Sequence, residues 1–415
     1  MLQIDARAAD PPQRGAAING RVVAVATIAL AAGAVALGEA FGWRQGALFV
    51  LGGAFGLTLY HTLFGFTSAW RIFIADQRGA GLRAQMLMLG LAVLLFFPFL
   101  AQGSILGREV HGELGAVGTS VLVGAFLFGL GMQLGDGGGS GTLYTAGGGK
   151  TRMLATLAAF IAGSALGAYH FAWWEKTPNL GPISLIASLG MLPALALSLA
   201  AFVAVAALTI VLERRRHGTL KPTNAASTKG WRRLLQGPWP LAAGAVGLAI
   251  GNFLTLVLAG RPWGITSAFA LWGSKIAALL GADVAAWPYW SAPARALALQ
   301  QSVFADIISV MDFGLILGAL LAAGLAGEFR PGWRVPMRSL IAAVLGGLML
   351  GYGSSLSYGC NIGAYFSGIA SASLHGWLWF AAALAGNVLS TRLRPLFGLT
   401  VERASGRALA QFHIW

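Results

Sequence analysis

The stretch SYGCNIGAYFSG, Ser357 to Gly368, sets the only cysteine of the chain inside a glycine-rich break between two hydrophobic runs, Leu340 to Leu350 and Gly376 to Leu389. Hydrocarbon offers unpaired backbone groups no partner, so unwound backbone at membrane depth is tolerated only where it is buried in protein or lines a cavity. In secondary transporters such interrupted segments build the solute site, with half-helix N-termini and loop amides aimed at the solute. The alternative is a tight turn between two packed helices.

The rest of the composition fits a membrane reading. Of 415 residues, 57% are hydrophobic and 10% charged, with a mean hydropathy of +0.71; soluble domains carry about 25% charged residues. The net charge of +14 raises the question of nucleic acid, but Lys and Arg fall mostly in short loops between apolar segments, where they set orientation by the positive-inside rule. No nucleic-acid partner is therefore expected, and the lipid bilayer is. A single cysteine excludes an internal disulfide and a cysteine-based metal cluster. The polar start of the chain, with Asp5, Asp10, Pro11 and Pro12, does not resemble a cleavable signal peptide.

Runs of about 20 apolar residues, long enough to span a bilayer, occur near 22–41, 46–66, 82–101, 116–134, 152–172, 183–212, 241–260, 302–326, 337–356 and 372–390. Pro193 makes the sixth a kinked helix or a short helix joined to a full one. The stretches 264–281 and 284–300 carry Lys275, Asp283, Pro288 and Pro293 and read as re-entrant or surface segments. Basic clusters at Arg71–Arg83, Lys150–Arg152, Arg214–Arg233, Arg330–Arg338 and Arg392–Arg407 belong on the cytoplasmic side.

The fold class that follows is all-α, a polytopic helical membrane protein in two pseudo-symmetric halves with central interrupted helices. Its expected divisions are a polar N-terminal segment (1–21), a first transmembrane half (22–212), a basic cytoplasmic linker (213–238), a second half (239–395) and a C-terminal tail (396–415). Two internal matches support the halves. FGFTSAW at Phe64–Trp70 matches WGITSAF at Trp263–Phe269 at an offset of 199, and Gly131, Gly137, Gly138 and Gly141 match Gly353, Gly359, Cys360 and Gly363 at an offset of 222. The span count makes the halves inverted; a miscount of one span would make them parallel.

Four loops thus carry the candidate chemistry: Phe64–Trp70, Gly135–Gly149, Trp263–Phe269 and Ser357–Gly368. Successive amides in such loops form anion-binding concavities, so a small polyatomic anion is the expected guest. The run GDGGGSGTLYTAGGGKTR is not a phosphate-binding P-loop, because Tyr144 stands where the leading glycine must be. Cys360 is open to three roles: a weak S–H donor, a nucleophile or redox group, or a buried packing residue. A nucleophile needs a base in reach, and no motif pairs His61, His170 or His375 with it. Ionisable residues at membrane depth are functional candidates by default. Among them Asp136 lies inside an anion site and needs a proton or a partner, for which Lys150 is a candidate; Asp306 and Asp312 read better as span-end or ion-paired residues.

On FGFTSAWR at Phe64–Arg71, GMQLGDGGGSGTLYTAGGG at Gly131–Gly149, WGITSAF at Trp263–Phe269 and YGCNIGAYFSG at Tyr358–Gly368, the chain resembles the YeeE/YedE family of bacterial inner-membrane transporters of thiosulfate and related sulfur solutes. The resemblance implies an hourglass-shaped helical protein in which cysteine thiols pass thiosulfate inward through central loops. It also implies a multi-pass inner-membrane protein, no cofactor, no metal, no enzymatic activity, and a small sulfur-carrier protein as a cytoplasmic partner. The chain departs from that pattern where relatives commonly carry cysteine: Gly65 and Gly138 stand in the first and second loops, Gly264 at the repeat position in the third, and only Cys360 remains. The expected solute contacts are Cys360, Gly359, Asn361, Gly363, Gly65, Gly138, Gly139, Ser140, Gly264, Asp136 and Lys150. A membrane-embedded sulfur-handling enzyme using Cys360, and a non-transporting scaffold, are the alternatives.

Overall fold

A computed structural model describes residues 17–220 and 230–401. Most of the N-terminal segment, the centre of the basic linker and most of the C-terminal tail lie outside these residues. In chain order the α-helices are α1 Gly20–Phe41, α2 Trp43–Thr62, α3 Phe66–Asp76, α4 Ala80–Gln102, α5 Thr119–Gly135, α6 Gly139–Gly147, α7 Arg152–Glu175, α8 Leu185–Leu189 and α9 Met191–His217. They continue with α10 Trp231–Gln236, α11 Leu241–Ala259, α12 Thr266–Leu279, α13 Pro293–Gln300, α14 Ile307–Ala326, α15 Met337–Leu356, α16 Gly368–Ala370 and α17 Leu374–Leu393. A π-helical turn, Asn361–Ser367, precedes α16.

Among the described residues nine stretches are long and apolar enough to cross a membrane, two of them, Trp43–Asp76 and Thr119–Gly147, interrupted. The tenth expected span forms as α17, 20 residues long. The stretch at 183–212 resolves into the short α8 joined to the full-length α9, and 284–300 is a run of short helical turns ending in α13.

Helix packing follows a two-fold plan. In α5 and α15, Gly124 lies against Gly353 while Gly131 lies against Gly346, so the two run antiparallel. The same holds for α2 and α11, where Gly244, Gly247 and Gly251 meet Thr62, Thr58 and Phe55. Around these self-paired helices the other contacts exchange: α2 packs on α14 as α11 packs on α4, and α5 on α17 as α15 on α7. Individual glycines repeat the exchange. A Cβ on Gly129 would fall 2.1 Å from the carbonyl oxygen of Ala383, and one on Gly351 2.1 Å from that of Phe160. Without a hydrophobic drive between helices in lipid, such close backbone approach supplies the dispersion contact that holds them.

Antiparallel self-pairs with exchanged neighbours are what a two-fold axis across the helices produces, the arrangement of inverted repeats. In this plan α9 stands to α4 as α1 stands to α14. By contact, Met191–His217 packs on α4, a helix before the basic linker.

The two ends of the bundle differ in charge. One end gathers Arg78 and Arg83 around Glu213, His217 beside Asp76, and Arg152 against the Ser339 carbonyl. The other brings residues 112–115 against Ser371 and His375, and pairs Leu185 with Ala372. The first end is rich in arginine; the second holds Arg261 against Glu113.

Candidate functional site

The four loops meet at the middle of the bundle. The second and fourth share one backbone geometry despite different sequences. Asp136 (φ 67°) and Tyr358 (φ 59°) are both left-handed. Two residues on, Gly138 (φ −93°, ψ −157°) and Cys360 (φ −97°, ψ −167°) are both extended and precede the next helical turn. Each pair is separated by the offset of 222 read from the sequence.

Two cavities flank this meeting point. The first, about 30 Å³, is lined by Gly65–Ser68, Arg71, Asp136–Gly138, Ser140 and Asn361. The second, about 350 Å³, is lined by the equivalent Gly264–Ser267 and Ala270, with Tyr358, Gly359 and Gly363. The first has room for little more than one water; the second is large enough for a small hydrated anion.

Between them stands a septum formed by the second and fourth loops. Cys360 is fully buried; Asn361 on one side of it in sequence lines the first cavity, while Gly359 lines the second. The Gly139 amide donates to Asn361 Oδ1 at 2.9 Å, Asn361 Nδ2 reaches Ser140 Oγ at 3.4 Å, and the Ile362 amide donates to Cys360 Sγ at 3.4 Å. A Cβ on Gly139 would sit 2.7 Å from Sγ. These short contacts separate the two cavities.

The expected contacts therefore fall into three groups. Gly65, Gly138, Ser140, Asn361 and Asp136 line the first cavity; Gly264, Gly359 and Gly363 line the second; Cys360 and Gly139 form the septum between them. Lys150 stands exposed on the loop after α6, with Glu328 as its electrostatic neighbour. Its expected place beside Asp136 is taken by arginines. Arg394 Nη1 and Arg71 Nη1 lie 2.9 and 3.2 Å from Asp136 Oδ1, and both guanidiniums are almost fully buried.

This cluster also closes the end of α5. The last carbonyls of a helix have no partner within it, and here Arg394 binds Gln133 O while Arg152 binds Leu134 O and Gly135 O. The Gln133 side chain accepts from Arg71 and donates to Thr67 O and Asn387 Oδ1, tying the first loop, the second loop and α17 together. Arg71 and Arg394 were legible only as members of basic clusters, a signal that reports orientation.

None of the three membrane histidines serves Cys360. His375 Nδ1 faces the Gly115 amide and Ser373 Oγ, His170 faces Tyr352, and His61 packs on Trp239.

A family profile described as sulphur transport matches residues 61–389, which contain all four loops. The chain belongs to the sulphur transport family. Among curated relatives in this sulphur transport group, the thiosulfate transporter TsuA of Spirochaeta thermophila is 29% identical over 352 residues, covering 81% of the chain and 95% of that protein. The probable transporter YedE of Salmonella typhimurium is 29% identical over 168 residues and that of Escherichia coli 30% over 149. These last two matches span 40% and 36% of the relatives' own length. The likeness to the sulphur transport family thus extends over residues 61–389 and not over four short motifs alone.

Proposed function

We propose that the chain carries a small sulfur-containing anion of the thiosulfate class across the bacterial inner membrane, through the septum at Cys360 and Asn361. The observation that carries this reading is the pair of cavities on either side of Gly138–Ser140 and Cys360–Asn361, one lined by Gly65–Ser68 and the other by the repeat equivalents Gly264–Ser267. Helices α3, α6 and α12 begin at these loops, at Phe66, Gly139 and Thr266, so their partially positive N-termini face the anion's path. The arginine-rich end faces the cytoplasm, which makes the larger cavity the entrance.

Cys360 is the one thiol on this path, so a relay between thiols does not operate. Asn361 Nδ2 and Ser140 Oγ supply polar hydrogens at the septum instead, and Cys360 contributes a weak S–H donor. The test is uptake of labelled thiosulfate, sulfite and sulfide into proteoliposomes. Saturable entry of an unaltered solute supports the reading. Failure of all three to cross, with a chemical product formed in detergent, replaces it with an enzyme.

A further inference from the structure

Asp312 was expected to pair across helices or to sit at a span end. It does neither. It lies in the second turn of α14, fully buried, and neither carboxylate oxygen has a hydrogen-bond partner among the described residues. Asp306 at the start of the same helix shows the contrast: its carboxylate caps the helix, accepting from Ser309 N at 2.8 Å and Ser309 Oγ at 2.6 Å.

The position of Asp312 relates it to the transport path. Four residues before it, Ile308 packs on Gly264 in the wall of the larger cavity; four residues after it, Ile316 packs on Gly147 of α6. Four residues are about one helical turn, roughly 6 Å. Asp312 therefore stands midway between the third and second loops, and its carboxylate is within electrostatic reach of the Cys360 thiol.

The ionisable groups on the packed elements leave it without a cation. Lys275 of α12 is committed to the carbonyls of Leu299 and Gln301, both at 2.7 Å. Helix α6 brings Tyr144; α2 brings Tyr60 and His61 toward its far end and, in its first turn, Arg44, whose guanidinium lies over the Trp43 ring. Arg21 and Glu39 occupy the two ends of α1, and Arg232 and Arg233 belong to the surface helix α10. The charge that reaches Asp312 is that of Asp306, of the wrong sign to hold a carboxylate.

We propose that Asp312 is a proton-binding site that couples solute movement to the proton gradient; the proposal rests on the transport reading above. A buried carboxylate with neither donor nor counter-ion is costly, so the closed site holds the neutral acid. A bare carboxyl group without further oxygen ligands does not make a sodium site, because sodium, like other hard cations, needs several oxygens. When the septum parts, water entering from either cavity reaches Asp312 and the proton exchanges with that side. The need for coupling is physical: each negative charge moved inward runs against the membrane potential, and each proton carried with it offsets one such charge.

The test uses the intact chain in proteoliposomes, as wild type and as Asp312→Asn, an isosteric and permanently neutral variant, with Asp312→Ala as a second. An inward pH step of one unit should raise wild-type thiosulfate accumulation about tenfold per proton carried, and thiosulfate entry should acidify the lumen. Asp312→Asn should lose both effects while still exchanging labelled for unlabelled thiosulfate across the membrane. Accumulation in Asp312→Asn that still responds to the pH step, or wild-type entry without acidification, overturns the proposal. Infrared difference spectra separate its failure from failure of the transport reading. If no thiosulfate crosses at all, a carboxylic-acid carbonyl band present in wild type, lost at high pH and absent from both variants upholds the proton site. Absence of that band from wild type removes it.

Discussion

Asn361 fills with its amide the space that a side chain at Gly138 would need: a Cβ built on Gly138 falls 2.3 Å from Asn361 Oδ1. Glycine at position 138 and the Asn361 amide beside it are thus two sides of one arrangement. That amide in turn holds the Gly139 N–H and spans the septum.

Placing a thiol there should fail on its own. Gly138→Cys forces Asn361 aside, an overpacking that costs about 1–3 kcal/mol, and should lower both thermal stability and uptake. Gly138→Cys combined with Asn361→Ala should recover stability. Thermal unfolding in detergent checks both, and a single variant as stable as wild type would show that the septum yields freely.

Asp136 should prove structural as well as local to the path. It is the carboxylate shared by the buried guanidiniums of Arg71 and Arg394. Removing one partner from a buried charge cluster costs on the order of 3 kcal/mol. Asp136→Asn should therefore show a clear drop in melting temperature, larger than that of Lys150→Gln on the exposed loop. Equal effects would contradict the assignment.

The break at Ser357–Gly368 was legible because glycine and cysteine interrupt an otherwise apolar run, and the offset of 222 that links it to Gly131–Gly141 reappears as matching backbone angles at Asp136 and Tyr358. The partner of Asp136 was not legible. Arg394 lies 258 residues away in sequence, and its membership of a basic cluster carried only the orientation signal. Asp312 was misjudged for a related reason: position near a span start says nothing of whether neighbouring helices offer a donor, and here none does. The packing of α9 on α4 is likewise invisible in sequence.

The basic linker gives an independent check on orientation. A reporter fused near Asn224 should report a cytoplasmic location, because the arginines at 214–216, 232 and 233 oppose translocation. A periplasmic signal would reverse the assignment of entrance and exit.

Cys360 separates donor from nucleophile by substitution. Cys360→Ser keeps a small donor at the septum and should slow uptake modestly; Cys360→Ala removes the donor and should slow it more. Complete and equal loss in both would point to covalent or redox chemistry through the thiolate. No loss in either would return Cys360 to packing.

The central claim is that the solute crosses between Gly139 and Cys360. A Cβ on Gly139 meets Cys360 Sγ at 2.7 Å and Cys360 Cβ at 3.3 Å, so Gly139→Val places a plug in the septum while leaving both cavities in place. Labelled thiosulfate uptake into proteoliposomes, at equal amounts of folded protein, should be saturable for wild type and abolished for Gly139→Val. Uptake through a folded Gly139→Val variant at the wild-type rate would show that the path lies elsewhere.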